Sequence, residues 1–256
     1  MLEFLRVRLQ QGTRTSQFPG GAAEFPERFR GRPVLDPTRC DGTCAGCIER
    51  MPSALLTHGA AGRVEIDAGA CLFAPEEAAA CGNGALAFTQ DYRMATRTRS
   101  GLVSEAGEVE LATALEAKMR RLFGRSLRLR SVVAGSCNGC ESELVALGNV
   151  VFDLARFGVQ FVASPRHADG LVITGAVNAN MRRAVYETWE ATPAPRIVIA
   201  VGACAINGGP FRGSPEVFDG VPAEFPVDLW IPGCPPHPLT ILDGVLRLLG
   251  RLDERP

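Results

Sequence analysis

The sequence predicts an α/β protein: a parallel sheet fills its C-terminal half, and a smaller cysteine-rich domain precedes it. Three observations predict this. From residue 127 onward, short apolar runs alternate with helical stretches, the pattern of strands covered on both faces by crossover helices. The cysteines fall into two groups: Cys40, Cys44, Cys47, Cys71 and Cys81 early in the chain, and Cys137, Cys140, Cys204 and Cys234 later. Residues 39–92 carry a weak internal repeat at an offset of about 30 residues, in which Arg39-Cys40 through Leu55 returns as Ala70-Cys71 through Leu86.

Taken in order, residues 1–11 read as a short amphipathic helix with Leu2, Leu5 and Leu9 at helical spacing. It would pack on its own domain or against a partner or membrane face. Residues 12–38, rich in Gly, Pro, Thr and Arg, read as an extended arm. A helix is expected over 107–124, with Leu111, Leu115, Met119 and Leu122 on one stripe, joining the two halves. Strands are expected at Leu127–Ala134, Val159–Ala163, Leu171–Thr174, Ile197–Val201 and Val227–Ile231, and helices at 141–157, 179–191 and 238–252.

Composition narrows the class. With 46% apolar and 21% charged residues and a net charge of −1, the chain reads as a globular protein with no nucleic-acid partner. No apolar run approaches the roughly 20 residues of a membrane span. The start, Met1-Leu2-Glu3-Phe4-Leu5-Arg6, lacks a secretory pattern, which points to an intracellular protein. In a reducing compartment, clustered cysteines indicate metal or redox chemistry rather than disulfides.

Cys137, Cys204 and Cys234 each follow a predicted strand, and the carboxyl ends of parallel strands gather at one ligand-binding edge. Cys140 joins them through the short spacing Cys137-Asn138-Gly139-Cys140. Four thiolates are the usual complement of a [4Fe–4S] cluster. A structural zinc or buried free cysteines are the competing readings, although zinc sites usually pair two short-spaced motifs. Gly139, Gly202 and Gly233 beside these cysteines would let backbone N–H groups approach sulfur and tune the potential.

The segment Ala134-Gly135-Ser136-Cys137-Asn138-Gly139-Cys140-Glu141-Ser142-Glu143-Leu144 resembles the proximal-cluster motif of [NiFe]-hydrogenase small subunits. Thr174-Gly175-Ala176-Val177, Ile199-Ala200-Val201-Gly202-Ala203-Cys204 and Ile231-Pro232-Gly233-Cys234-Pro235-Pro236 continue the likeness over about 127–250. The match is to small subunits of energy-converting, formate hydrogenlyase-type hydrogenases and to the related 20 kDa subunit of complex I. The complex I subunit has adjacent cysteines at the first site, whereas this chain has the hydrogenase form. The resemblance implies a flavodoxin-like fold without flavin or nucleotide, and a [4Fe–4S] cluster on Cys137, Cys140, Cys204 and Cys234.

Arg39–Tyr92 resembles a bacterial two-cluster ferredoxin, and Phe29-Arg30-Gly31-Arg32-Pro33 with Phe88-Thr89-Gln90-Asp91-Tyr92 resemble the ferredoxin subunit of formate hydrogenlyase. In the ferredoxin pattern the fourth cysteine of each repeat ligates the other repeat's cluster. By that rule one cluster keeps all its ligands, Cys40, Cys44, Cys47 and Cys81. The other retains only Cys71, because its remaining positions are Met51, Ala74 and Glu77. The spacing from Cys40 to Cys44 is one residue longer than the pattern. Cys71 reads as a buried small hydrophobe.

The resemblance divides the chain into a helix and arm (1–34), a ferredoxin-like α+β domain with one cluster (35–105), a linker helix (106–126) and a hydrogenase small-subunit-like domain (127–256). It implies an electron-transfer subunit with two [4Fe–4S] clusters and no catalytic centre of its own. Its partners would be a catalytic large subunit and integral membrane subunits, with room for a further electron donor. The location would be cytoplasmic, against the inner face of the cell membrane. The same architecture in a quinone-reducing or nickel-free relative, and a non-redox zinc scaffold, are the alternatives. Glu141 and Glu143 suit a helix start, with proton movement as the sharper reading. His58, His167 and His237 carry no recognisable constellation.

Overall fold

The computed structural model describes residues 2–36, 38–40, 45–59, 62–123 and 126–252. In chain order it contains helix α1 (Leu2–Gln11), strand β1 (Pro33–Leu35), helix α2 (Ala45–Arg50), strands β2 (Leu56–His58) and β3 (Val64–Asp67), helix α3 (Pro75–Ala80), and strands β4 (Leu86–Phe88) and β5 (Val103–Ser104). Helix α4 (Ala117–Phe123), strand β6 (Leu127–Val133), helix α5 (Gly139–Ala146), and strands β7 (Val159–Phe161) and β8 (Gly170–Thr174) follow. The chain continues with helix α6 (Ala179–Ala191), strand β9 (Ile197–Val201), helix α7 (Ala203–Asn207), strand β10 (Leu229–Ile231) and helix α8 (Pro238–Leu248).

The C-terminal half is a five-stranded, wholly parallel sheet in the order β10-β9-β8-β6-β7. Numbered within the sheet this is 2-1-3-4-5, the flavodoxin-type order with its switch point between β6 and β8. Every residue of β8 and β9 is buried, as their unbroken apolar runs require. Helix α6 starts where the Asn178 side chain accepts from the Met181 N–H at 2.9 Å, a side-chain N-cap. Helix α8 starts at Pro238 behind His237, whose Nδ1 accepts from the Leu239 N–H at 3.1 Å.

The N-terminal half is built from two strand–helix–strand units, β1-α2-β2 and β3-α3-β4, offset by 30 or 31 residues. The first strand of each unit pairs antiparallel with the last strand of the other, β1 with β4 and β3 with β2. Such pairing follows from a duplication folded about a local two-fold axis. The arm at 12–32 runs over the C-terminal half. Ser16 N–H donates to the Val151 carbonyl at 2.8 Å, and the Phe18 ring meets Tyr92 and Phe157 edge-on. Residues 3–11 of α1 are exposed, so this helix does not pack its apolar positions on its own domain.

Three expected helices are shorter in the structure. The one expected over 238–252 ends at Leu248, with Gly250 in a left-handed conformation. Of the described residues in 107–124, only α4 is helical. Before it the chain is extended, because Ala112 and Leu115 are buried and donate to the Ala95 and Leu248 carbonyls at 2.7 and 2.9 Å. Burial of those residues against α8 outweighs the helical stripe. The helix expected over 141–157 ends at Ala146. There Asn149 turns the chain by accepting from the Val151 and Phe152 N–H groups, and Asp153 takes a left-handed conformation.

The N-terminal half has a core of its own around Leu55 and Ile66, and its Ala95, Ala112 and Leu115 pack into the core of the C-terminal half. Thr96 and Trp230 exchange backbone hydrogen bonds at 3.0 and 2.9 Å, which covers the β10 edge of the sheet. Helix α8 is buried along its whole length between the sheet and this segment, and a Cβ on its Gly244 would lie 2.5 Å from the Ala95 Cβ. Gly244→Ala therefore sets a helix-propensity gain of about 0.5–1 kcal/mol against an overpacking cost of about 1–3 kcal/mol. Overpacking wins, and urea unfolding of this variant is expected at a lower midpoint with an unchanged m-value.

Candidate metal centres

The C-terminal centre forms where three strands end. Cys137 lies just beyond β6, Cys140 on the first turn of α5, Cys204 on α7 directly after β9, and Cys234 after β10. All four line one pocket, together with Ser136, Gly175, Ala203, Gly233 and Pro235. The approach is close. Gly202 has φ +89°, and a Cβ there would lie 2.5 Å from Cys140 Sγ. A Cβ on Gly209 would lie 2.9 Å from Cys204 Sγ. Glycine at 202 is thus required by both backbone conformation and the neighbouring sulfur. Gly209 escapes sequence reading because it lies five residues beyond its cysteine.

Burial pushes up the thiols of Cys140, Cys204 and Cys234, and Cys204 reaches about 11. Repulsion among the four sulfurs adds to this; for Cys204 the contributing groups are Cys234, then Cys137, then Glu141. Four thiolates this close need a cation between them, and a bound metal removes their protons. The pocket offers sulfur donors with no imidazole or carboxylate, a soft set suited to iron–sulfur clusters or zinc. These residues fit a cubane held by four cysteines. Among the described residues, no group of three or more His, Cys, Asp or Glu side chains is placed to hold a single metal ion.

The acidic residues beside the pair separate in role. Glu141 accepts from Ser136 Oγ at 2.8 Å and from Thr174 Oγ1, so it ties the loop after β6 to the end of β8 across the switch point. Glu143, raised by burial, lines a neighbouring cleft with Cys234, Arg28, Arg30 and His237. His237 is also enclosed by Phe25, Phe29 and Phe152, and burial lowers its pKa. His167 is exposed on a turn.

In the N-terminal half, Cys40, Cys47, Cys71, Cys81 and Met51 belong to one packed cluster. Cys44 lies outside the described residues. Cys81 Sγ donates to Asn83 Oδ1 at 3.0 Å, and Asn83 Nδ2 donates to the Arg39 carbonyl beside Cys40 at 2.5 Å. Arg50 reaches from Cys47, 4.0 Å from Sγ, to the Ala80 carbonyl at 3.4 Å. The end of the second repeat is thereby drawn to the start of the first. Cys47 is disulfide-bonded in this structure.

Exposure and ionisation order the thiols of the metal-free chain. At neutral pH, iodoacetamide is expected to modify exposed Cys137 well before buried Cys140 and Cys204, with Cys204 reacting only as pH approaches 11. Peptide mass spectrometry over a pH series measures this. Equal rates at pH 7 would contradict the burial of the pocket.

Comparison with known proteins places the C-terminal half. The profile described as NADH ubiquinone oxidoreductase, 20 Kd subunit, matches residues 137–248. Formate hydrogenlyase subunit 7 of Escherichia coli is 41% identical over 146 residues, which is 57% of this chain and 57% of that protein. A probable membrane-bound hydrogenase subunit of Pyrococcus furiosus is 45% identical over 138 residues, 53% of this chain and 81% of that one. An NADH-quinone oxidoreductase subunit of Heliobacterium modesticaldum is 42% identical over 146 residues, 56% of this chain and 81% of that one. The chain thus spans little more than half of the first relative and most of the other two. With 45% identity across four-fifths of a hydrogenase subunit and all four pocket cysteines inside the matched profile, the chain belongs to the 20 kDa subunit family shared by NADH-quinone oxidoreductases and membrane-bound hydrogenases.

Proposed function

We propose that the chain is an electron-transfer subunit holding two [4Fe–4S] clusters, one on Cys137, Cys140, Cys204 and Cys234 and the other on Cys40, Cys44, Cys47 and Cys81. The single observation that carries the first of these is the pocket lined by four cysteines from the carboxyl ends of three parallel strands. When bound, each cluster supplies one-electron chemistry at a potential set by charge, hydrogen bonds and exposure.

The residues of the chain hold and shield these centres. The glycines at 202 and 209 let backbone lie against sulfur, and Pro235 and Ala203 close the pocket. For the N-terminal centre, the crossed pairing of the two repeats supports ligation of one cluster by three cysteines of the first and one of the second. The Cys47 disulfide must open first, as a reducing compartment favours.

The relatives are named as parts of formate hydrogenlyase, membrane-bound hydrogenase and NADH-quinone oxidoreductase. We assign this chain a catalytic large subunit and membrane subunits as partners, on the cytoplasmic side of the membrane. Among the described residues, no helix is long and apolar enough to cross a membrane, so attachment would run through those partners. The Cys-x-x-Cys spacing at 137–140 favours a hydrogenase-like large subunit over a quinone-reducing one.

Iron and sulfide analysis of the anaerobically reconstituted full chain, with EPR after reduction, tests this. About eight irons per chain are expected from two cubanes. Cys234→Ser and Cys81→Ser should each lose about four irons and a different EPR signal. Zinc as the sole metal would overturn the redox assignment.

A further inference from the structure

Glu77 occupies a position that a second ferredoxin-type cluster would have used, and its surroundings are those of a buried anion. The residue is 0% exposed. Its Oε1 accepts from the Leu72 N–H at 3.0 Å and from Ser53 Oγ, and its Oε2 accepts from the Ala74 N–H at 3.0 Å and from Cys71 Sγ at 3.3 Å. Two carboxylate oxygens offer about four lone-pair sites. Four donors converge on these two oxygens. Phe73, with φ +55°, turns the amides on either side of it toward the same acceptor. Met51, Ala74 and Glu77 stand where the ferredoxin pattern has cysteines, and the loop's amides converge on the Glu77 side chain.

This anion lies between the two proposed cluster sites. On one side Cys71 shares a packed cluster with Cys40, Cys47 and Cys81. On the other, Phe73 lines a cleft with Gly233, Cys234 and Pro235. The turn at Ala68–Ala70, just before Cys71, rests on Ile206 of α7, the helix that carries Cys204. A Cβ on Gly69 would come within 2.7 Å of Ile206 Cγ2.

We infer that Glu77 is a positioning residue that replaces the missing cluster as the anion of its loop and, through its fixed charge, lowers the reduction potential of the cluster on Cys137, Cys140, Cys204 and Cys234. This rests on the two-cluster reading above. A buried negative charge opposes the arrival of an electron nearby, and low dielectric strengthens the effect. The device keeps the interior between the two centres negative without a third redox group.

The test is an EPR-monitored redox titration of the reconstituted full chain. Glu77→Gln removes the charge at nearly constant volume and is expected to raise the midpoint of the C-terminal cluster, with a severalfold higher reduced fraction at a fixed poise. Glu77→Asp keeps the charge and should leave the midpoint near that of the parent. Ser53→Ala, which withdraws one donor and keeps the charge, should shift the midpoint the opposite way. Unchanged midpoints in Glu77→Gln or, if it fails to fold, in Ser53→Ala, with iron still about eight per chain, overturn the inference and leave the two-cluster reading standing. A parent chain without iron at the C-terminal site overturns both.

Discussion

Strands β6, β8, β9 and β10 run parallel and in step, with Val133 beside Thr174, Thr174 beside Val201, and Val201 beside Ile231. Their carboxyl ends therefore share one edge, and three cysteine-bearing segments leave it side by side. The rest of the protein depends on this register. A slip of one residue would turn every buried side chain of β8 or β9 to the other face. It would also carry Cys204 or Cys234 out of the common pocket. Glu141 reinforces the register at the switch point by joining Ser136 to Thr174.

The N-terminal half obeys a different constraint, the symmetry of a duplication. Each repeat lends its last strand to the other. That exchange brings the end of repeat two near the start of repeat one. The loop after Cys71 has inward amides to satisfy, and an unsatisfied buried N–H costs about 1–3 kcal/mol. Glu77 satisfies two of them at once.

The halves meet along helix α8. Helix α8 has the sheet on one side and the Ala95–Leu115 segment on the other, with Gly244 admitting Ala95. A buried ion pair, Arg247 with Asp243 at 2.9 Å, lies on this helix.

The sequence alone determined the sheet and the cysteine partition. Unbroken apolar runs such as Ile197–Val201 admit only a doubly covered strand, and a thiol that directly follows such a strand must lie at the sheet's edge. For the first group, the ferredoxin resemblance and its cross-ligation rule single out Cys40, Cys44, Cys47 and Cys81 as an expectation. Tertiary structure decided the rest. It turned residues 107–116 into an extended segment, since burying Ala112 and Leu115 against α8 outweighs a local helical stripe. It showed Gly209 against sulfur and gave Glu77, which the sequence presents only as a missing cysteine, its ring of donors. Those outcomes depend on contacts between residues far apart in the chain, and local pattern carries no record of which distant backbone will arrive.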